Sequence, residues 1–384
     1  MHFDTTSVPR SLYIHWPFCP YKCHFCNFVA LAAHDQYMAD YHNALVKEIE
    51  TFFSRQNSKL TIDTVYLGGG TPSTYPLPLL LDTFGTLKNA VTFSSDYEMS
   101  IEVNPGTVSD EQLVAWREMG INRISIGVQS LNEMVLKRLN RHQSTKDVGE
   151  VLEKAHRLFS ALSIDLILGL PGVSAEQWKE TLAQVVQWPI AHISIYFLMV
   201  HEQTPLYFGV KSNKITLPPD DEVVDLYYWS IDYLAEHQFV QYEISNFARP
   251  GFESRHNKAY WDRVPFKGFG LGACSFDGNR RFQNEKNLMK YINNIGDGKD
   301  VIDFSEQLSR EQIWLETLML GLRQKNGMVY EELINFLHDE EKERFKAQVA
   351  LLCDRSLMKC ENGRLQLLPR ALAVENEVVE KLSM

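Results

Sequence analysis

The sequence predicts an α/β protein, in which a parallel, TIM-like (β/α)6 part-barrel is followed by a smaller helical domain. Short apolar strands alternate with helical patterns as far as about residue 215, and this alternation is typical of a parallel sheet with helices packed on it. After residue 300 the pattern changes to helical segments followed by a hairpin. We therefore expect a part-barrel over residues 1–215, a linking region over 216–300 and a winged-helix-like domain over 301–384.

Six apolar stretches are predicted as the parallel strands. After the first strand and its loop, residues 37–52 carry apolar side chains at helical spacing. Two later helices begin with potential capping boxes, Ser109 with Gln112 and Ser174 with Gln177. The predicted strands are residues 11–15, 64–67, 98–103, 123–129, 164–168 and 192–198. Because barrel enzymes place their active sites at the carboxyl ends of the strands, we expect the functional residues at those ends.

The C-terminal segment predicts three helices and a hairpin. The first helix has a capping box at Ser309 and Gln312. The hairpin is indicated by Asn362 and Gly363 between two short apolar runs, a strong signal for a two-residue turn. This order resembles a winged-helix module. Such modules often bind DNA, but without a basic recognition helix this one is expected to pack or to dock a partner.

The strongest chemical signal is a run of three cysteines, Cys19, Cys23 and Cys26, in the loop after the first predicted strand. A [4Fe–4S] cluster needs four ligands, so a CxxxCxxC run leaves one iron open to a small molecule. S-adenosylmethionine is the expected ligand, because its amino nitrogen and carboxylate oxygen can chelate that iron. An electron from the reduced cluster would then break its carbon–sulfur bond and give a 5′-deoxyadenosyl radical.

Zinc and disulfide bonds are the alternative uses of a short cysteine run. His24 lies between two of the cysteines and could complete a zinc site, but zinc ligands usually fall into two pairs on separate turns. Disulfides fit less well, because the chain has six cysteines and the other three, Cys274, Cys353 and Cys360, are scattered. The spacing therefore favours an iron–sulfur cluster over both.

The composition indicates a cytoplasmic protein. The chain is 45% hydrophobic and 23% charged, with a formal net charge of −11, and its first residues contain no apolar stretch typical of a secretion signal. No apolar run approaches the roughly 18 to 20 residues that a membrane span requires. An acidic chain without basic runs also argues against nucleic acid as a partner.

Several motifs in the expected order accompany the cysteine run. They are YIHWPFCPYKCHFCNF at 13–28, GGGTPS at 68–73, EVNPGT at 102–107, RISIGVQS at 123–130, LNRHQ at 139–143, IDLILGLPG at 164–172 and HNKAYW at 256–261. With them, nearly the whole chain resembles the radical S-adenosylmethionine proteins related to oxygen-independent coproporphyrinogen III oxidase, in particular their heme-chaperone branch. The resemblance implies the radical fold and a role connected with porphyrin biosynthesis.

The resemblance also implies which residues hold the cofactors. The three cysteines would bind the cluster, and the glycine turn at residues 68–70 would let the backbone approach S-adenosylmethionine closely. Two alternatives stay open: Arg141 and Asp165 could form a structural ion pair, and Tyr13 could simply pack against the cluster loop. The residues implied for S-adenosylmethionine are Tyr13, Gly69, Gly70, Thr71, Glu102, Gln129, Arg141 and Asp165.

His256, in the HNxxYW signature of the heme-chaperone branch, is implied as a heme contact. Neutral imidazole is a common ligand of heme iron, and Tyr260 and Trp261 could cover a porphyrin face. A lone histidine in a linking stretch is otherwise a surface or hydrogen-bonding residue. On the heme interpretation, His256→Ala should abolish heme transfer and leave the cluster in place.

The function implied by the resemblance is that of a heme chaperone with a [4Fe–4S] cluster, S-adenosylmethionine and heme as cofactors. Its partners would be heme and heme-acceptor proteins, including a membrane-associated acceptor. The alternative is an oxygen-independent coproporphyrinogen III oxidase, against which stands Phe28, where the oxidase motif has a fourth cysteine. Nucleic-acid modification is a third and less favoured class. The sequence leaves open whether the chain is an enzyme, which acceptor it serves, its oligomeric state, and whether it binds one or two S-adenosylmethionine molecules.

Overall fold

The computed structural model describes residues 8–383, most of which form one large mixed sheet and the helices packed on it. The strands are β1 (Ser11–Trp16), β2 (Phe18–Cys19), β3 (Leu31–Ala32), β4 (Thr61–Gly69), β5 (Thr92–Val103), β6 (Arg123–Gln129), β7 (Ala161–Leu168), β8 (His192–Phe197), β9 (Val240–Glu243), β10 (Asn246–Ala248), β11 (Phe266–Phe269), β12 (Cys274–Phe276), β13 (Arg280–Asn284), β14 (Ile302–Gln307), β15 (Met328–Val329), β16 (Met358–Glu361) and β17 (Arg364–Leu367).

The helices connect consecutive strands of the parallel part and build the C-terminal domain. They are α1 (Met38–Ser54), α2 (Leu77–Ala90), α3 (Asp110–Met119), α4 (Glu133–Arg138), α5 (Thr145–His156), α6 (Ala175–Val185), α7 (Pro205–Lys211), α8 (Asp220–Glu236), α9 (Arg255–Trp261), α10 (Leu288–Gly296), α11 (Arg310–Arg323), α12 (Tyr330–Phe336), α13 (Asp339–Asp354) and α14 (Glu375–Ser383). In residues 8–383, no helix is long and apolar enough to cross a membrane.

Six neighbouring strands, β1 and then β4 to β8, run parallel in chain order. Both faces of β6 and β7 are largely buried, as expected for parallel strands covered by helices. Five of the six strands contribute to one cavity at their carboxyl ends, through Tyr66, Glu102, Ser125, Asp165 and Tyr196. The sheet therefore curves around that cavity as a part-barrel does, which confirms the predicted α/β fold class.

Residues 216–300, interpreted above as a linking region, are built into both edges of the large sheet. At one edge, β10 pairs antiparallel with β8 and is followed by β9. At the other edge, β11 pairs parallel with β1, β12 and β13 continue the sheet antiparallel, and β14, just beyond residue 300, completes the meander. These strands have three to six residues each, which is too short for a clear alternating pattern.

The C-terminal domain begins at α11 and has a hydrophobic core of its own. Trp314, Phe345 and Leu365 belong to this core, which is separate from that of the sheet. The predicted hairpin is β16–β17, and its turn residues Asn362 and Gly363 have φ angles of 52° and 72°. Two successive positive φ angles define the type I′ turn that Asn-Gly favours.

Candidate cofactor site at the carboxyl ends of the strands

A cavity of about 520 Å³ opens at the carboxyl ends of the parallel strands. Its walls come from the cysteine loop, from the ends of β4 to β8 and from the segment after β8. The predicted site residues that line it are Cys19, Cys23, Cys26, Gly69, Gly70, Thr71, Glu102, Gln129, Arg141 and Asp165. Two predicted residues, Tyr13 and His256, do not belong to its lining. The fold thus brings ten distant positions of the sequence together.

The cysteine loop is fixed at both ends and receives hydrogen bonds at its sulfur atoms. Cys19 ends β2, which pairs with β3 and closes the loop. Thr71 Oγ1 donates to Cys19 Sγ at 3.3 Å, and Arg141 Nη1 lies 3.8 Å from Cys23 Sγ. Donors directed at cysteine sulfur stabilise a reduced iron–sulfur cluster and tune its potential. The loop therefore fits a cluster bound by three thiolates.

His24, which could complete a zinc site, has another partner. Within residues 8–383, no three Cys, His, Asp or Glu side chains converge on a single ion position. His24, the candidate fourth ligand, has Nδ1 3.1 Å from the carbonyl oxygen of Arg138. Burial raises the pKa of the Cys19 thiol to about 11, so bonding to a metal is what would make it a thiolate at neutral pH.

The glycine turn after β4 packs tightly against the start of the cysteine loop. A Cβ atom on Gly70 would lie 2.5 Å from the carbonyl oxygen of Pro17, and one on Gly69 would lie 2.7 Å from the ring of His15. Gly69 also has a φ of 121°, a conformation that side-chain-bearing residues rarely adopt. Glycine is therefore required here by the chain itself. The N–H groups of Gly69 and Gly70 already donate to Glu102 and Trp16, which leaves the carbonyl oxygens of the turn to a ligand.

Glu102 is held at the base of the cavity by two donors. Tyr66 Oη donates to Glu102 Oε1 at 2.9 Å, and the backbone N–H of Gly69 donates to Oε2 at 3.1 Å. Burial raises the pKa of Glu102 to about 7, with a further contribution from the nearby charge of Asp165. Burial likewise raises the pKa of Asp165, which accepts a hydrogen bond from Ser125 Oγ at 3.1 Å. Two partly desolvated carboxyl groups create a site for a positively charged ligand.

Arg141 and Asp165 bind different partners, so the alternative of an ion pair between them is not observed. Arg141 donates to the carbonyl oxygen of Gly127 at 2.5 Å and to Gln143 Oε1 at 2.8 Å. Gln129, at the end of β6, has a φ of 66°, an uncommon conformation for a residue other than glycine that is often found at functional sites. The side chains of Arg141 and Gln129 both line the cavity wall.

Tyr13 lies beneath the cavity and packs there. Its hydroxyl hydrogen-bonds with His15 Nδ1 at 2.9 Å, and its ring stacks on that of Tyr66, with 6.3 Å between the centroids. These contacts are with β1 and β4 rather than with the cysteine loop. Tyr13 therefore acts on a ligand of the cavity only through Tyr66, which holds Glu102.

The structure places His256 outside the cavity and in a buried hydrogen-bond network. This side chain is 1% exposed; its Nδ1 hydrogen-bonds with Thr64 Oγ1 at 2.7 Å and its Nε2 with Tyr260 Oη at 2.8 Å. Burial lowers its pKa to about 3, so the imidazole is neutral. Since both ring nitrogens are occupied and buried, His256 has none to offer to a heme iron; instead its ring stacks on Tyr66 at 5.1 Å.

The rest of the HNKAYW motif is also structural. The motif forms α9, whose first N–H groups donate to the buried carboxylate of Glu98, from Arg255 at 3.1 Å and from His256 at 3.0 Å. The guanidinium group of Arg323 lies over the ring of Trp261, 4.5 Å from its centroid. The motif therefore joins the cavity-facing side of β4 and β5, below Tyr66, to the C-terminal domain.

Other residues of the cavity were not among the predicted site residues. They include Tyr66, Asn104, Ser125, Tyr196, Met199 and His201. Three of them could have been found from strand alternation, because residues two positions apart share a face: Ser125 with Gly127, Tyr66 with Gly68, and Tyr196 with Ser194, which donates to Asp165. Met199 and His201 lie in an irregular segment after β8, and no periodicity places them.

Comparisons with known proteins show the family of this chain. Residues 13–185 match the model of the Radical SAM superfamily. The heme chaperone HemW of Lactococcus lactis is 30% identical over 97% of this chain and 97% of its own length, and that of Bacillus subtilis is 33% identical over 83% of this chain and 84% of its own. The solved coproporphyrinogen III oxidase (HemN) of Escherichia coli covers 98% of this chain and 90% of its own, with a TM-score of 0.84 at 24% identity.

Fold, cavity and superfamily match define a radical S-adenosylmethionine protein, a class whose cofactors are a [4Fe–4S] cluster and S-adenosylmethionine. The oxidase structure supports the fold alone, because its identity to this chain is low. The relatives that match almost from end to end go further: the chain belongs to the HemW family. The resemblance predicted from the motifs is thereby confirmed.

Proposed function

We propose that this protein is a heme chaperone: it binds a [4Fe–4S] cluster, S-adenosylmethionine and heme, and passes heme to acceptor proteins in the cytoplasm or at a membrane. The observation that carries the proposal is the conjunction of the three-cysteine cavity with end-to-end similarity to proteins named heme chaperones. The first supports a radical S-adenosylmethionine site, and the second supports heme as the cargo.

The residues of the cavity have distinct tasks in this proposal. Cys19, Cys23 and Cys26 hold the cluster and leave one iron open. The carboxyl group of Glu102 and the backbone of the glycine turn accept hydrogen bonds from the amino group at the methionine end of S-adenosylmethionine. When bound, the cluster and S-adenosylmethionine supply one-electron chemistry. The protein's own contribution is to keep this site enclosed by the ends of β4 to β8.

The test is a heme-transfer assay with the cluster-reconstituted full chain. The protein is loaded with heme, freed of excess heme, and mixed with an apo form of a heme-binding protein, while the absorbance of both is followed. We expect stoichiometric heme binding and transfer that depends on the loaded protein. A chain that takes up no heme, although its cluster is intact, would refute the proposal.

The oxidase activity is tested in the same preparation. Phe28 stands where the oxidase motif continues with a cysteine, and its side chain is 66% exposed at the cavity. We therefore expect no protoporphyrinogen from coproporphyrinogen III. This outcome separates the two functions that share the fold.

A further inference from the structure

We propose that heme binds across the mouth of the cofactor cavity, with His201 as the protein ligand of its iron. This inference rests on the proposed function, because it assigns a site to the heme that a chaperone would carry. It replaces His256, whose buried ring has no free nitrogen. His201 has not been assigned a role by any motif of the sequence.

The mouth of the cavity exposes an unusual amount of apolar surface. Phe28 is 66%, Met199 65% and Tyr196 41% exposed, and all three line this cavity. Large apolar side chains exposed together mark binding sites for apolar surfaces. A porphyrin presents two flat apolar faces, and aromatic and thioether side chains are well suited to cover them.

His201 supplies what the apolar mouth lacks, a ligand for iron. Among residues 8–383, His201 is the one histidine in the lining of this cavity. No hydrogen bond or ion pair within these residues occupies its ring. Its backbone is nevertheless fixed, because its carbonyl oxygen accepts hydrogen bonds from the N–H of Thr204 at 3.3 Å and from Thr204 Oγ1 at 2.6 Å. A free imidazole on a held loop can bind heme iron with little rearrangement.

The charge at the mouth also suits heme. Lys22, in the cysteine loop, lines the cavity with an exposed side chain and can pair with a propionate. The two carboxyl groups of the cavity, Glu102 and Asp165, are buried below, at the ends of β5 and β7. The apolar and basic groups thus surround the mouth, while the acidic groups occupy the base assigned to S-adenosylmethionine.

One consequence is that heme and S-adenosylmethionine share an entrance. A heme lying over the mouth closes the cavity above the cofactor, so it should slow the release of S-adenosylmethionine. Heme delivery would then reopen the site. This coupling follows from the shared cavity and requires no conformational change.

The test of the ligand is a heme titration of the cluster-loaded full chain, followed by the Soret absorbance, with wild type, His201→Ala and His156→Ala. His156 is the matched control: it is exposed and lines a separate concavity, which also contains three arginines, at the amino ends of the strands. We expect heme affinity to fall about tenfold or more in His201→Ala, to recover partly with free imidazole, and to remain unchanged in His156→Ala. Iron-free protoporphyrin should bind all three alike.

A second variant at the same position controls for loss of heme binding through misfolding. His201→Tyr keeps an iron ligand and should give a different heme spectrum, typical of phenolate ligation, while cluster content and thermal unfolding are compared with the wild type. Wild-type affinity and spectra in both His201 variants would overturn the proposal, and a loss confined to His156→Ala would place heme in the other concavity. A wild type that binds no heme would instead refute the proposed function.

The shared entrance is tested by the exchange of labelled S-adenosylmethionine. Heme-loaded wild type should release the label at about one tenth of the rate of the heme-free protein, or more slowly. At heme concentrations that saturate only the wild type, His201→Ala should release the label as fast as the heme-free protein. Equal release with and without bound heme would contradict a site at the mouth.

Discussion

Glu102 determines how the cavity responds to pH. Its pKa is raised to about 7 because it is buried, even though Tyr66 and the N–H of Gly69 donate to it. Above that pH the group is a carboxylate that can hold a cation, and below it the group is a neutral acid. A carboxyl group of ordinary pKa would remain ionised over this whole range.

Binding of S-adenosylmethionine should therefore weaken as the pH falls through 7. With a pKa of about 7, affinity at about pH 6 should be close to tenfold lower than at about pH 8, because only the ionised form is a strong acceptor for the N–H groups of the iron-bound amino group. Isothermal titration calorimetry on the cluster-loaded protein measures this. The control is Glu102→Gln, which should bind weakly and with a much flatter pH profile; an identical profile in this variant would contradict the role of Glu102.

His256→Phe should destabilise the protein without removing heme. Phenylalanine preserves the stacking on Tyr66, but it leaves the buried hydroxyls of Thr64 and Tyr260 without their partner. Each unpaired group costs about 1–3 kcal/mol. Urea unfolding measures the loss of stability, and a heme titration of the folded variant shows whether binding persists. If the variant were stable but bound no heme, the motif would be a heme site after all.

The turn at residues 68–70 couples β4 to the cysteine loop. A methyl group on Gly70 would collide with backbone oxygens, at 2.5 Å from Pro17 and 2.9 Å from Phe18. Backbone atoms cannot move aside as a flexible side chain can. The turn therefore sets the position of Cys19, which directly follows Phe18.

Gly70→Ala should impair cluster assembly. Because the methyl group displaces the start of the cysteine loop, we expect iron and sulfide content after reconstitution to fall to less than about half of the wild-type value. Gly85→Ala is the matched control: it lies inside α2, a Cβ there meets nothing within 4 Å, and alanine should stabilise the helix by about 0.5–1 kcal/mol. Equal cluster content in both variants would show that the close packing is not needed.

The sequence predicts those elements that carry strong local signals. The capping boxes at Ser109, Ser174 and Ser309 are all present, because a side-chain cap depends on residues only three positions apart. The strands of residues 216–300 were missed, since short edge strands depend on neighbours far along the chain. The burial of His256 was missed for the same reason: its partner Thr64 is 192 positions away.

The candidate site was predictable to the extent that it lies in motifs. Cysteine spacing and glycine turns reveal the cluster and one wall of the cavity. The opposite wall, with Tyr196 and His201, arises from curvature of the whole sheet, which no local pattern encodes.

The C-terminal domain is held to the large sheet by a buried ion pair. Glu243, in β9, is fully buried and lies 2.6 Å from Arg323 in α11. Burial raises the pKa of Glu243, and the nearby Arg323 counteracts this. The same guanidinium group covers Trp261. The domain and the HNKAYW helix are thus connected through Arg323.

Arg323→Met should destabilise the whole protein by about 3–5 kcal/mol, because it leaves Glu243 as an unpaired buried carboxylate. Adding Glu243→Gln in the same chain should recover a large part of that loss. Thermal and urea unfolding of the two variants measure both effects. If the single and double variants were equally stable, the pair would not hold the domain.

The most direct test of the central claim, that heme is carried rather than a porphyrinogen converted, is an anaerobic turnover assay. Reconstituted and reduced protein is incubated with S-adenosylmethionine and coproporphyrinogen III, and protoporphyrinogen and 5′-deoxyadenosine are separated by chromatography. We predict no protoporphyrinogen from a sample whose cluster is intact and which binds heme. Protoporphyrinogen formed over repeated turnovers would contradict the account and make the protein an oxidase.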